Sequence, residues 1–223
     1  MINPAALLIC SCLWVSYFAT GFAFAFHDVN GALQAYDLRK NKPRRTWAHY
    51  LANMPKQLSN LFVLFPVCMH ILVEARADTI TKPFRDIGVQ DAINLVIGYV
   101  IQQSWLFGVH YALHTPFLYK RIHKYHHVPL AYVHSLSAWT DAYFEYIVME
   151  LGSYVAMILL APMHYSILAV YFVYLGFSSS VEHSGFYINA TLDSRYHWKH
   201  HVLPNCNFAE WDVLDWMFGT LKM

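Results

Sequence analysis

Charge is scarce in this chain. Only 13% of its 223 residues are Asp, Glu, Lys or Arg, while 57% are hydrophobic; soluble domains carry about 25% charged residues, so the deficit points to a membrane. No acidic or basic side chain occurs before His27. The balance is also even, 15 Lys+Arg against 14 Asp+Glu, so no global basic field exists to gather nucleic acid. Cysteine is sparse: Cys10, Cys12, Cys68 and Cys206 form no CxxC pair and read as small hydrophobes. No HExxH stretch is present, nor a composition shift or long linker that would mark a second domain.

What is there is a series of apolar runs. Residues 5 to 26 give enough length to cross a hydrocarbon core of about 30 Å, and the missing basic n-region argues against a cleaved signal peptide. Weaker runs cover 57–73 and 92–109. The longest uncharged stretch, 151–181, is too long for one crossing, and "APMH" at 161–164 is a natural turn, so a helical hairpin starting near Tyr146 is expected. The fold expected is all-α, a polytopic bundle of four to five spans with a histidine-rich helical cap. Five crossings place loops 27–56, 110–145 and 182–223 on one face, holding twelve of the fifteen Lys/Arg; the positive-inside rule makes that face cytosolic. The run "RKNKPRR" at 39–45 then reads as a topology signal, and the sequon "NAT" at 189–191 is expected to stay unmodified.

Histidine, by contrast, is abundant. Of fourteen, nine fall in "HYALH" (His110, His114), "HKYHH" (His123, His126, His127), "HWKHH" (His197, His200, His201) and "EHSG" (His183). Spacings of i, i+3 and i+4 put imidazoles on one helical face, aimed at a common point. Neutral imidazole binds first-row metals, and eight or nine such ligands exceed what one tetrahedral zinc needs, so two ions are the natural count. His27, His49, His70 and His164 stand alone and read as interfacial or structural. His134 stays open between a loop residue and a group behind a ligand.

HxxxH, HxxHH and HxxHH around a membrane hairpin, followed by "EHSGFY", "YHWKHH" and "NCNFAEWDVLDWMFGT", resemble the fatty acid hydroxylase and sterol desaturase superfamily, including its C4-methylsterol oxidase-like and sterol C5-desaturase-like members. The resemblance covers roughly residues 92–220. It implies a ligand set of His110, His114, His123, His126, His127, His197, His200 and His201, with His183 as the ninth, holding two non-haem irons that use dioxygen on an unactivated C–H bond. It also implies a lipid-like substrate, endoplasmic-reticulum location with the clusters facing the cytosol, and electrons from cytochrome b5 and its reductase; no His-Pro-Gly-Gly motif is present, so the donor is expected to be a separate protein. Where family members often carry Ala-His-Pro-x-Glu, this chain has "AYFEY", with Tyr143 and Phe144 in place of His and Pro and Glu145 retained. The organisation expected is 1–90 as membrane spans with a basic loop and 91–223 as the catalytic region, folded as one unit.

Three carboxylates flank or interrupt apolar runs: Glu145, Glu150 and Glu182. Glu182 adjoins His183 and either orients it or points to water, while Glu145 reads as an interfacial carboxylate. Asp193 and Asp212 lie in the C-terminal segment, and Asp215 is expected to pair locally, because Gly219 marks a turn. Two readings from other classes stand beside the oxidase: a zinc-dependent membrane hydrolase, lowered by the missing HExxH, and a metal transporter, whose ligands belong near the bilayer midplane rather than beyond the spans.

Overall fold

A computed structural model describes residues 1–39, 43–52, 54–127 and 133–222. Its described residues are helical, with two isolated β-bridges, Asp37 with Phe186 and Tyr187 with Asp193, and no strand. The expected all-α bundle is what forms. Helix α1 is Pro4–Val29, α2 is Trp47–Ala52, and α3 is Met54–Ala75 with a π-turn over Asn60–Leu64. Helix α4 is Val89–Leu113 and α5 is Pro116–Arg121; α6 is Tyr143–Leu160 with a π-turn over Tyr146–Leu151. The chain closes with α7, Tyr165–Glu182, α8, Arg195–Val202, and α9, Asp212–Met217.

Four helices, α1, α3, α4 and α6, are long and apolar enough to cross a membrane. The fifth expected crossing, α7, is a helix of 18 residues made less apolar by Ser178, Ser179, Ser180 and Glu182. The hairpin turns at Ala161–His164 as "APMH" suggests, and His164 caps α7 by accepting from the Ser166 amide at 3.2 Å. Val15, Val67, Ile71, Val96 and Val170 face outward, as side chains do where the surrounding medium is lipid.

Helix α1 starts where local chemistry places it: the Asn3 side chain accepts from the Ala5 amide at 2.9 Å, and Pro4 occupies the first turn, where no N–H is needed. It packs closely on α7, because Gly176 brings no side chain to the contact; a Cβ there would lie 2.8 Å from the Leu13 carbonyl oxygen. Ile9, Leu13, Tyr17, Phe65, Met69 and Phe172 form the core between these helices and α3.

Between α5 and α6 the chain from Val133 to Asp141 is irregular yet buried. Backbone of this kind is tolerated inside a membrane protein only where other groups satisfy it. Helix α3 does so: Gln57 donates to the Leu136 carbonyl, and Asn60 Nδ2 donates to the Trp139 and Asp141 carbonyls at 3.1 and 3.2 Å. Arg45 is also buried, donating to Asp28 Oδ2 at 3.0 Å and to the Val133 carbonyl at 2.6 Å. The basic run is thus partly a packing device, with Arg39 buried beside Asp28 and Asp37. Residues 40–42 of that run lie outside the described residues.

Candidate metal centre

Four chain segments deliver histidines to one place. His110 lies in the last turn of α4 and His114 caps it; His183 caps α7; His197, His200 and His201 come from α8; His123, His126 and His127 come from a single 3-10 turn and the residues after it. The C-terminal ends of α4 and α7, which carry partial negative charge, therefore point at the cluster and favour a cation there.

The nine divide into two groups. His110, His114, His123, His127 and His200 form one, and His126, His183, His197 and His201 the other, with the ligand nitrogens of each group within 4.8 Å of one another. Inside the first, Nε2 atoms of His110 and His123 are 3.1 Å apart, those of His123 and His127 3.0 Å, and those of His127 and His200 3.0 Å. Inside the second, His183 and His197 are 3.0 Å apart, His197 and His201 3.0 Å, and His126 and His183 3.4 Å. With metal–nitrogen bonds of about 2.0–2.1 Å, ligands at right angles on one cation stand about 3 Å apart, so the spacing fits.

The outer nitrogens decide what these contacts are. Nδ1 of His110 donates to the Phe208 carbonyl at 2.7 Å, Nδ1 of His200 to the Cys206 carbonyl at 2.7 Å, and Nδ1 of His183 to the Ser179 carbonyl at 3.1 Å. Nδ1 of His123 meets the Glu145 carboxyl, and Nδ1 of His126 lies 2.8 Å from Asp141. A neutral imidazole has one proton; spending it outward leaves Nε2 as a bare lone pair. His110 and His123 then face each other through two lone pairs at 3.1 Å, a repulsive contact that a shared cation resolves. Nε2 of His114, buried and without a hydrogen-bond partner, asks for the same. Burial, reinforced by the neighbouring histidines, holds His123, His197, His200 and His201 well below the usual imidazole range and His114 down at about 2, so these side chains are neutral and able to ligate.

The structure brings together all nine sequence-expected histidines, and of the two residues left open between standing behind them and a plainer role, neither meets a ligand imidazole. His134 bonds the His49 carbonyl through Nε2 at 3.0 Å, accepts from the Leu136 amide and packs at a tilt against Tyr50, in neither histidine group. Glu182 pairs with Glu210 rather than with His183, which turns instead to Ser179. The orienting carboxylates are Glu145, fully buried rather than interfacial, and Asp141, whose carboxyl burial pushes up. The spacing of i and i+4 between Asp141 and Glu145, just after the second box, is the signal that could have found the pair. His126 with these two carboxylates also makes a group able to hold a cation, although each carboxylate already faces a histidine Nδ1.

Asp215 fixes the C-terminal segment, as local pairing predicts. It accepts from the amides of Phe208 and Ala209 at 2.9 and 2.7 Å and from the hydroxyls of Tyr196 and Thr220 at 2.5 Å each. The Phe208 carbonyl is thereby held for His110. A cavity of about 80 Å³ lies against the histidines, lined also by Glu150, Glu182 and Glu210.

A helical membrane bundle that closes over a buried histidine cage able to hold metal defines the class. The chain belongs to the fatty acid hydroxylase family: the family model described as Fatty acid hydroxylase matches residues 95–220. It is 29% identical over 208 residues to "Fatty acid hydroxylase ahd1" of Mycosarcoma maydis, covering 89% of this chain and 53% of that protein. It is 26% identical over 131 residues to "Fatty acid hydroxylase domain-containing protein 2" of Macaca fascicularis and of Homo sapiens, covering 59% of this chain and 39% of each. The chain thus spans about half the length, or less, of these relatives. No solved structure matches.

Proposed function

We propose that this chain is a membrane non-haem di-iron oxidoreductase that hydroxylates or desaturates an unactivated C–H bond of a lipid-like substrate. The observation that carries the reading is the division of nine histidines, six buried and three half-buried, into groups of five and four with Nε2 atoms turned toward one another. One iron belongs to each group. Bound iron supplies the activation of dioxygen; in hydroxylation one oxygen atom enters the C–H bond and the other leaves as water, with two electrons and two protons taken up. The protein's part is to keep the imidazoles neutral and fixed, through Glu145, Asp141 and the carbonyls of Ser179, Cys206 and Phe208, and to hold the cavity dry. An all-imidazole shell suits this task, being less easily oxidised than thiolate.

The remaining parts of the proposal follow the family. Residues 91–223 carry the catalysis and 1–90 supply spans; the cage faces the cytosol at the endoplasmic-reticulum membrane, and electrons come from cytochrome b5 and its reductase. The test is metal content after anaerobic iron reconstitution of the full chain in detergent, for the native protein and for His126→Ala with His200→Ala. Iron at one equivalent per histidine group, lost in the double variant, is the expected result. Stable zinc with no iron uptake, or folded protein that takes up no metal, defeats it.

A further inference from the structure

Read from the sequence, residues 182–223 form a loop on the face that carries the histidines. The last helix does not stand clear of the bundle there. It lies alongside a span: the ring of Trp211, the N-terminal cap of α9, is 5.1 Å from that of Tyr99, and the ring of Phe218, its C-terminal cap, is 4.9 Å from that of Phe107. Between them Leu214 packs with Phe107 and Phe208. Tyr99 and Phe107 belong to α4, which ends at Leu113 beside the cage. At 1.5 Å per residue they lie about 21 and 9 Å short of that end, in a helix whose hydrocarbon surroundings are about 30 Å thick. The chain therefore turns back along a span after α8.

The outward side of α9 is apolar and bare. Trp211, Val213, Trp216, Met217 and Phe218 are between 52% and 72% exposed, five large apolar side chains in eight positions. Surface of this density is unfavourable in water and marks contact with something apolar. The polar groups of the segment turn elsewhere. Asp215 is buried in its hydrogen bonds, Glu210 accepts from Gln103 and Ser178, and Asp212 lines a groove with Asp193, Arg195, Lys199 and Lys222. Val213 and Met217 instead share one apolar wall with Val96, Val100 and Val170, on the outward faces of α4 and α7. The bare side of α9 is thus continuous with a surface that a bilayer covers. Trp211 borders both this wall and the charged groove, the position between acyl chains and headgroups at which tryptophan is enriched.

We infer that α9 is seated among the acyl chains of the bilayer leaflet on the cage side, with the Asp212 groove at headgroup level, so that the C-terminal segment is a re-entrant part of the membrane domain and not a water-facing tail. The seat bears on the cage. Lipid covers the outer side of a segment whose inner side holds the Phe208 carbonyl to His110 through Asp215. The inference does not depend on which metal the histidines hold.

Fluorescence of the full chain in nanodiscs tests the seat. Trp216→Phe exchanges one exposed ring for another, so the emission that differs between the native protein and this variant belongs to Trp216. Phosphatidylcholine brominated on its acyl chains is expected to quench that emission severalfold more than acrylamide in the surrounding water. Quenching by acrylamide and not by bromine places α9 in water and overturns the seat. Protection from both, in discs that hold two chains but not in discs that hold one, gives this face to a second copy and overturns it equally. A chemical readout stands beside the optical one. Nanodiscs are open on both sides, and a charged maleimide is expected to modify Met217→Cys severalfold more slowly than Thr191→Cys, at an exposed bend, each measured above the reaction of the native protein. Equal rates, with the thermal midpoints of both variants unchanged, overturn the inference.

Discussion

Glu145, at the start of α6, meets Nδ1 of His123 in a contact from which solvent is absent on both sides. A carboxylate buried to this degree is costly unless something uses it, and here it fixes the proton of His123 outward so that Nε2 faces His110 and His127. Asp141 lies beside His126 in the other group, its Oδ1 2.8 Å from Nδ1 without hydrogen-bond alignment. Each histidine group therefore has its own carboxylate.

Glu145→Gln keeps the shape and removes the charge. Metal affinity of the five-histidine group is expected to fall by about 10–100-fold, read by competition with a graded series of chelators, while the four-histidine group holds its metal. Asp141→Asn is expected to do the reverse. Equal weakening of both groups by either variant would show that the carboxylates act on the cage as a whole.

Single ligand deletions should also differ in size. His200→Ala leaves four imidazoles in its group and His197→Ala leaves three in the other, so the second variant is expected to lose more metal on dialysis against the same chelator. Elemental content per folded chain is the measurement, and the opposite order would contradict the division into five and four.

His134 and Glu182 provide the contrast. His134→Asn gives up the bond to the His49 carbonyl and the ring contact with Tyr50, a loss of about 1–3 kcal/mol visible as a lower thermal midpoint, with metal content unchanged. Glu182→Gln is likewise expected to leave metal content as it is. Metal lost in either variant would restore these residues to the cage.

The ligands themselves were legible because their close spacing is written into the sequence: "HYALH" and "HWKHH" lie on helices as expected, whereas "HKYHH" lies on a 3-10 turn and the residues after it, not on an α-helical face. The spans and the turn at "APMH" were legible for a similar reason, since apolar length is a local property. The assignment of each histidine to a group was not, because it depends on which turn meets which; His126 and His127 are neighbours in sequence and belong to different groups. Sequence adjacency misled at Glu182, since residues i and i+1 of a helix point about 100° apart. The spacing of Asp141 and Glu145 pairs them in sequence, but the place of Asp141 is set by Asn60, 81 residues away, through a bond to the Asp141 backbone, and no local pattern records that.

Asp215 sets the last expectation. Its carboxylate gathers two amides and two hydroxyls, and two of the carbonyls in the segment it organises, those of Phe208 and Cys206, receive the protons of His110 and His200. Both histidines belong to the five-membered group, whereas His183 and His126 of the other group turn to Ser179 and Asp141, on elements that Asp215 does not touch. Asp215→Ala leaves the buried Phe208 and Ala209 amides without partners, a cost of about 1–3 kcal/mol apiece, and frees the segment to shift. The five-histidine group is expected to lose its metal first as chelator is raised, with the four-histidine group following only as the fold itself melts. Simultaneous loss from both groups, below the thermal transition, would mean that the C-terminal segment supports the whole cage and not one half of it.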